Sequence, residues 1–132
     1  EMSASLVGSE MCIRDSLTYP LRYIKRDTGV IPNLSPYRDK IDLIYETLIK
    51  KDKALEINVS GLFKGLGETL PAFDEIKRYH DLGGKYITLG SDAHNINDVG
   101  RDIEKGIELA FKAGFKSYHI YENCCPYEIT IE

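Results

Sequence analysis

The strongest constraint on the fold is the short apolar run Lys85-Tyr86-Ile87-Thr88-Leu89, which ends in the small polar stretch Gly90-Ser91-Asp92-Ala93-His94. Four apolar or β-branched residues, Tyr86 to Leu89, suit a strand and are too few for a helix. Gly83-Gly84 before the run is a helix stop, and a helical pattern begins soon after residue 97. Helix, strand, helix is the alternation of a parallel α/β sheet or barrel. Asp92 and His94 are two residues apart, so in extended chain they project to one side. They stand at the C-terminal end of the strand, where open α/β sheets and barrels place their chemistry. A carboxylate oxygen and an imidazole nitrogen there make half of a candidate metal site. The spacing alone equally fits an Asp capping the next helix beside a surface His.

The rest of the chain repeats the alternation. Ala54-Leu55-Glu56-Ile57-Asn58-Val59 reads as a strand with Leu55, Ile57 and Val59 on one face and Glu56, Asn58 and Ser60 on the other. Parallel strands are usually covered on both faces, so this polar row is expected to line a site rather than meet solvent. Residues 60–67 follow as a glycine-rich loop of a size that suits a phosphate or other ligand. Ser35 as N-cap and Pro36 at the first position predict a helix through about Lys50, with Ile41, Ile44, Tyr45 and Leu48 on one face. A second helix starts near Pro71, carries Phe73, Ile76, Tyr79 and a surface His80, and stops at Gly83-Gly84. A third runs from about Asn97 to Ala113 with Val99, Ile103, Ile107, Ala110 and Phe111 inward. Residues 115–121 form a further strand in which His119 packs, and residues 128–132 a short terminal one. Pro20 makes residues 17–24 a strand exit or a lead into a short helix, and residues 25–33 read as a loop.

Composition narrows the function classes. At 132 residues the chain can bury one core. The net charge is −4 and the cations form no block, which argues against a nucleic-acid partner though not against a small phosphorylated substrate. No apolar run reaches the roughly 18 residues of a membrane span, and no signal core is present. A soluble, cytoplasmic protein is expected, of unknown oligomeric state. Cys12, Cys124 and Cys125 make no disulfide framework and are expected as ordinary thiols, the adjacent pair having vicinal-disulfide or soft-metal binding as its alternatives. Residues 1–16 follow no clean period. Residues 9–16 resemble a string seen where adapter sequence of short sequencing reads has been translated, so 1–16 is read as a non-native or disordered N-terminus.

A resemblance now adds to this reading. Leu55-Glu56-Ile57-Asn58, Ser60-Gly61-Leu62, Glu68-Thr69, Pro71 and the block Gly83 to His94 resemble the C-terminal half of histidinol-phosphate phosphatases of the polymerase-and-histidinol-phosphatase (PHP) superfamily. Asp98-Val99-Gly100 and residues 113–123 continue it, over residues 17–132. The resemblance implies the C-terminal part of a distorted (β/α)7 TIM-like barrel. It implies a trinuclear centre of divalent metal ions (Zn, Mn or Fe) that hydrolyses L-histidinol phosphate to L-histidinol and phosphate in histidine biosynthesis. Asp92 and His94 match metal ligands, and Arg22 matches an arginine that contacts phosphate. Asn58, Ser60 and Lys64 are further candidates for the substrate phosphate.

The departures carry equal weight. The family's N-terminal His-X-His pair, its ligand glutamate and its middle histidines have no counterpart, and Asp15-Ser16 stand where the family has Gly-His. Phe63 occupies the place of a second phosphate-binding arginine. Lys64 can replace part of that charge, but as a point charge and not a bidentate fork. The chain is therefore expected to be a fragment without useful activity. The alternatives are another PHP-type phosphoesterase acting on a different small phosphate ester, and a non-catalytic α/β ligand-binding module.

Overall fold

The computed structural model describes residues 12–15 and 17–132. Of the segment read as non-native, residues 1–11 and 16 lie outside the described residues. Ile13–Arg14 form a short strand, β1. Ala54–Asn58 form β2 and Ile87–Gly90 form β3. These three make a parallel sheet in the order β1-β2-β3, with Leu55 paired to Ile87 and Asn58 to Gly90. Among the described residues the sheet is open and closes no barrel.

The helices are α1 (Pro20–Thr28), α2 (Arg38–Lys50), α3 (Phe73–Asp81) and α4 (Ile103–Ala113). Three boundaries differ from expectation for identifiable reasons. The segment 25–33 is not all loop: α1 continues to Thr28 and ends where Gly29 takes a left-handed cap, its amide bonded to Lys25 O. Ser35 does not cap α2, because Ser35–Tyr37 form a 3₁₀ turn and the Asn33 side chain accepts from the Ser35 amide at 2.9 Å. The expected helix from Asn97 is interrupted. Ile96–Asp98 make one 3₁₀ turn, Gly100 and Asp102 take positive φ, and the α-helix begins only at Ile103. Val99, expected on the inward face, is 71% exposed as a result; Phe111, expected there too, lies within α4 and is 59% exposed.

The core forms where apolar faces of sheet and helices meet. Leu55 and Ile57 of β2 and Ile87 of β3 are fully buried with Tyr45 of α2, Ile76 and Tyr79 of α3, and Ala110 of α4. A satellite cluster of Leu21, Leu66 and Leu70 seats α1 on the loop after β2. At roughly 1.5–3 kcal/mol for each fully buried aliphatic or aromatic side chain, these contacts dominate folding and fix both strand ends that carry the site.

The last strand departs from the parallel expectation. Ser117–Glu122 (β4) do not join the sheet; they pair antiparallel with Cys125–Thr130 (β5). Asn123 and Cys124 both take positive φ, as a tight two-residue hairpin requires, so the chain folds back on itself. The terminal strand is longer than expected and starts at Cys125. The cysteine expectation also fails in part: Cys12 and Cys124 are joined as a disulfide, and Cys125 is the exposed free thiol. His119 packs as expected, 7% exposed and edge-on to Tyr86. His80 is less superficial than expected, its ring lying edge-on to Phe115 at 4.9 Å.

Candidate metal and phosphate site

The site is built where β2 and β3 end. After Gly90 the chain leaves the sheet, and Asp92 adopts a left-handed backbone with φ of 47°. That turn brings the His94 ring back onto the Asp92 main chain: His94 Nδ1 lies 2.9 Å from Asp92 O. This contact ties the ring to the Asp92 main chain. The His94 side chain is 72% exposed, and its Nδ1 stands 4.0 Å from Asp92 Oδ1. The expected juxtaposition of Asp92 and His94 is present.

A third residue enters from the loop after β2. Asn58 Oδ1 accepts from the Ser60 amide at 2.9 Å and starts a 3₁₀ turn over Val59–Leu62. This turn delivers Lys64 to the strand end. Lys64 Nζ donates to Asp92 O at 2.7 Å, stands 3.6 Å from Asp92 Oδ2 and lies 3.3 Å from His94 Nδ1. Asn58 itself is 1% exposed and also pairs its backbone with Leu70, so it shapes the loop instead of facing a ligand. Ser60 is fully buried, its Oγ without a hydrogen-bond partner.

Arg22 approaches from α1. Its guanidinium sits 4.6 Å over the Tyr19 ring and 5.4 Å from that of Tyr23, and Nη2 donates to Tyr19 Oη at 2.8 Å. Nη1 is buried without a hydrogen-bond partner. Lys25 Nζ donates to Leu66 O and ties α1 to the loop after β2. Between them lies a cavity of about 240 Å³ lined by Arg22, Tyr23, Arg26, Lys64 and Gly65. Tyr19 and Tyr23 share a 2.8 Å hydrogen bond. That bond raises the Tyr19 hydroxyl pKa above its ordinary value and lowers that of Tyr23. The structure thus brings Arg22 and Lys64 to one cavity and Lys64, Asp92 and His94 to one point.

Over 100 residues the chain is 42% identical to the probable histidinol-phosphatase of Thermotoga maritima, covering 76% of this chain and 40% of that protein. It is 28% identical over 102 residues to the probable histidinol-phosphatase of Clostridium acetobutylicum and 35% identical over 95 residues to the histidinol-phosphatase of Lactococcus lactis. The chain is related to the histidinol-phosphatases. It spans 35–40% of the length of these relatives. No family model matches the chain.

The trinuclear centre implied by the resemblance does not fit the described residues. Among them no group of three or more His, Cys, Asp or Glu side chains could hold a metal ion. Asp92 and His94 offer one carboxylate and one imidazole nitrogen, a donor set suited to Zn, Mn or Fe but too small for a cluster. The Lys64 ammonium already stands beside the Asp92 carboxylate.

Tyr19, Tyr23 and Arg26 line or buttress the cavity and were not picked out from the sequence. The signal was there: Tyr19 with Tyr23, and Arg22 with Arg26, are each four apart, one helical turn. Reading residues 25–33 as a loop concealed it.

Proposed function

We propose that the chain forms the phosphate-holding and partly metal-ligating portion of a phosphomonoesterase that converts L-histidinol phosphate and water to L-histidinol and phosphate, a step of histidine biosynthesis. The carrying observation is that Lys64 meets the Asp92–His94 pair and lines the Arg22 cavity, so both halves of such a site share one residue. The names of the relatives supply the reaction. A PHP-type barrel, of which residues 17–132 would be the C-terminal part, and a small phosphorylated partner in the cytoplasm belong to the same proposal. Among the described residues no helix is long and apolar enough to cross a membrane.

Phosphoryl transfer to water asks little covalent chemistry of a protein. Catalysis is mostly positioning plus stabilisation of charge on the non-bridging oxygens. Arg22 presents a planar fork whose buried Nη1 lacks a partner, and a phosphate oxygen would satisfy it. Tyr19 and Tyr23 hold that fork against rotation through stacking and the Tyr19 hydroxyl. Lys64 supplies a point charge on the other wall. Asp92 and His94 are proposed as two donors to a divalent ion whose remaining ligands come from another part of the polypeptide. With only two donors, the 132-residue chain is expected to release no phosphate by itself.

Replacing the matching region of the Thermotoga maritima relative with this chain's residues tests the reading. Phosphate released from L-histidinol phosphate by the folded chimera supports it, with Asp92→Asn and His94→Ala each lowering the rate at least about 100-fold. A chimera that unfolds cooperatively yet turns over at background rate, or one indifferent to both substitutions, overturns it.

A further inference from the structure

The end of β3 opposite to Asp92 carries a different arrangement. There a cavity of about 410 Å³ opens between α3, the start of β3 and the start of β4, within the roughly 300–1,000 Å³ of small-molecule sites. Lys85 and Lys116 stand on its wall, and neither ammonium has an ion pair or a hydrogen bond among the described residues. The helix ends nearby do not account for them. Gly84 N donates to Tyr79 O at 2.9 Å and Phe115 N to Ala110 O at 3.0 Å, so backbone amides already take carbonyls in the last turns of α3 and α4. His119 lines the same cavity, 7% exposed and with its ring edge-on to Tyr86 at 4.9 Å. Its Nδ1 is buried without a hydrogen-bond partner. Buried polar groups of folded proteins are nearly always paired, so this imidazole points to a ligand. Glu128, the carboxylate on the wall, accepts from Ser117 Oγ at 2.6 Å.

We propose that this cavity binds a small organic carboxylate that carries no ammonium group. Lys85 and Lys116 hold its oxygens, and the His119 imidazole supplies a hydrogen bond once the ligand is seated. Lysine suits the role: a compact point charge on a flexible stem meets a carboxylate oxygen from many directions and needs no planar fork. Two unpaired ammonium groups facing one cavity also raise its positive potential, which draws anions in and repels a ligand amine. L-Histidinol phosphate carries an amine and is disfavoured here for that reason. The Tyr86 and Phe115 rings give the carbon skeleton of the ligand an apolar wall. The site shares no lining residue with the cavity of Arg22 and Lys64, and it stands or falls independently of the reaction proposed above.

The full chain titrated with succinate tests this, followed by amide chemical shifts at residues 80, 84–86 and 115–119. Saturable shifts are expected there. L-Aspartate, which is succinate with an added ammonium group, is expected to bind at least about fivefold more weakly. Succinamide, the same skeleton without charge, should give no saturable shift. Lys85→Met and Lys116→Met should each weaken succinate about tenfold. Lys85→Arg keeps the charge and should stay within about threefold of the unaltered chain, which controls for a change in fold. His119→Phe keeps a ring against Tyr86 and should weaken succinate about fivefold. Shifts that never saturate, or that sodium chloride reproduces at equal ionic strength, overturn the inference. So does aspartate binding as tightly as succinate, or unchanged binding in both methionine variants.

Discussion

Arg38 and Glu75 clamp α2 to α3 through two contacts, Nη2 to Oε1 at 2.7 Å and Nη1 to Oε2 at 3.0 Å. The carboxylate is 7% exposed and takes a further hydrogen bond of 3.2 Å from the buried Tyr45 hydroxyl. Burial raises the Tyr45 pKa, so the hydroxyl remains a donor throughout the working pH range. Removing the arginine leaves a buried charge with one neutral partner. Breaking a buried pair costs about 3–5 kcal/mol, and the 37% exposure of Arg38 reduces that. Arg38→Ala is expected to lose about 2–3 kcal/mol in denaturant unfolding, and Tyr45→Phe about 1 kcal/mol.

Gly84 is held by space and not by backbone geometry. A methyl group there would lie 2.5 Å from Tyr79 Cε1 and 2.6 Å from Cδ1 and Cζ. The Tyr79 ring is fully buried, and its hydroxyl bonds Lys53 O and Tyr86 O, so it cannot swing aside. Gly84→Ala is expected to destabilise by about 2–3 kcal/mol, the cost of overpacking a rigid core. Gly65 is the contrast: it has φ of 88° and nothing within 4 Å of an added methyl. Gly65→Ala is expected to lose only about 1–2 kcal/mol, from the left-handed backbone alone. Thermal unfolding of both variants distinguishes the two causes.

Acid should loosen the segment beside the site. Arg101, and then Asn95, hold the Asp98 carboxyl below its ordinary pKa. A depressed folded pKa contributes stability above the unfolded value of about 3.9 and loses it as pH falls through the folded value. Amide exchange of residues 95–101 is expected to accelerate below about pH 4 in the unaltered chain. In Asp98→Asn the acid-dependent part should be missing.

Much of this architecture was legible in the residues. The pairing of Leu55 to Ile87 follows from two apolar runs separated by a helix, and the covered polar face of Asn58 and Ser60 follows from strands buried on both sides. The closeness of Asp92 and His94 was legible because they stand two residues apart just beyond β3. What escaped depended on single backbone angles or on distant partners. Gly100 and Asp102 break a periodic pattern that reads as one helix, and Asn123 with Cys124 turns an expected parallel strand into half of a hairpin. Lys64 reaching Asp92 spans 28 positions, a distance that periodicity cannot see.

Arg22 and Arg26 should differ in weight although both line the cavity. A hydrogen bond from a charged group contributes about 1.5–3 kcal/mol, so Arg22→Ala is expected to weaken methylphosphonate binding about 10- to 100-fold. Arg26 already carries Asp27, and Arg26→Ala is expected to change binding by no more than about twofold. Calorimetric titration of both variants checks this ordering.

The most direct measurement is an amide chemical-shift map of the chain titrated with L-histidinol phosphate in the presence of Zn2+. The account predicts perturbations concentrated at Arg22, Tyr23, Lys64, Gly65 and residues 91–94. A second cavity of about 410 Å³, lined by His80, Lys85, Lys116 and His119, lies at the start of β3, away from Asp92, and serves as the internal control. Perturbations confined to that cavity, with residues 22, 64 and 92–94 unmoved, would contradict the account.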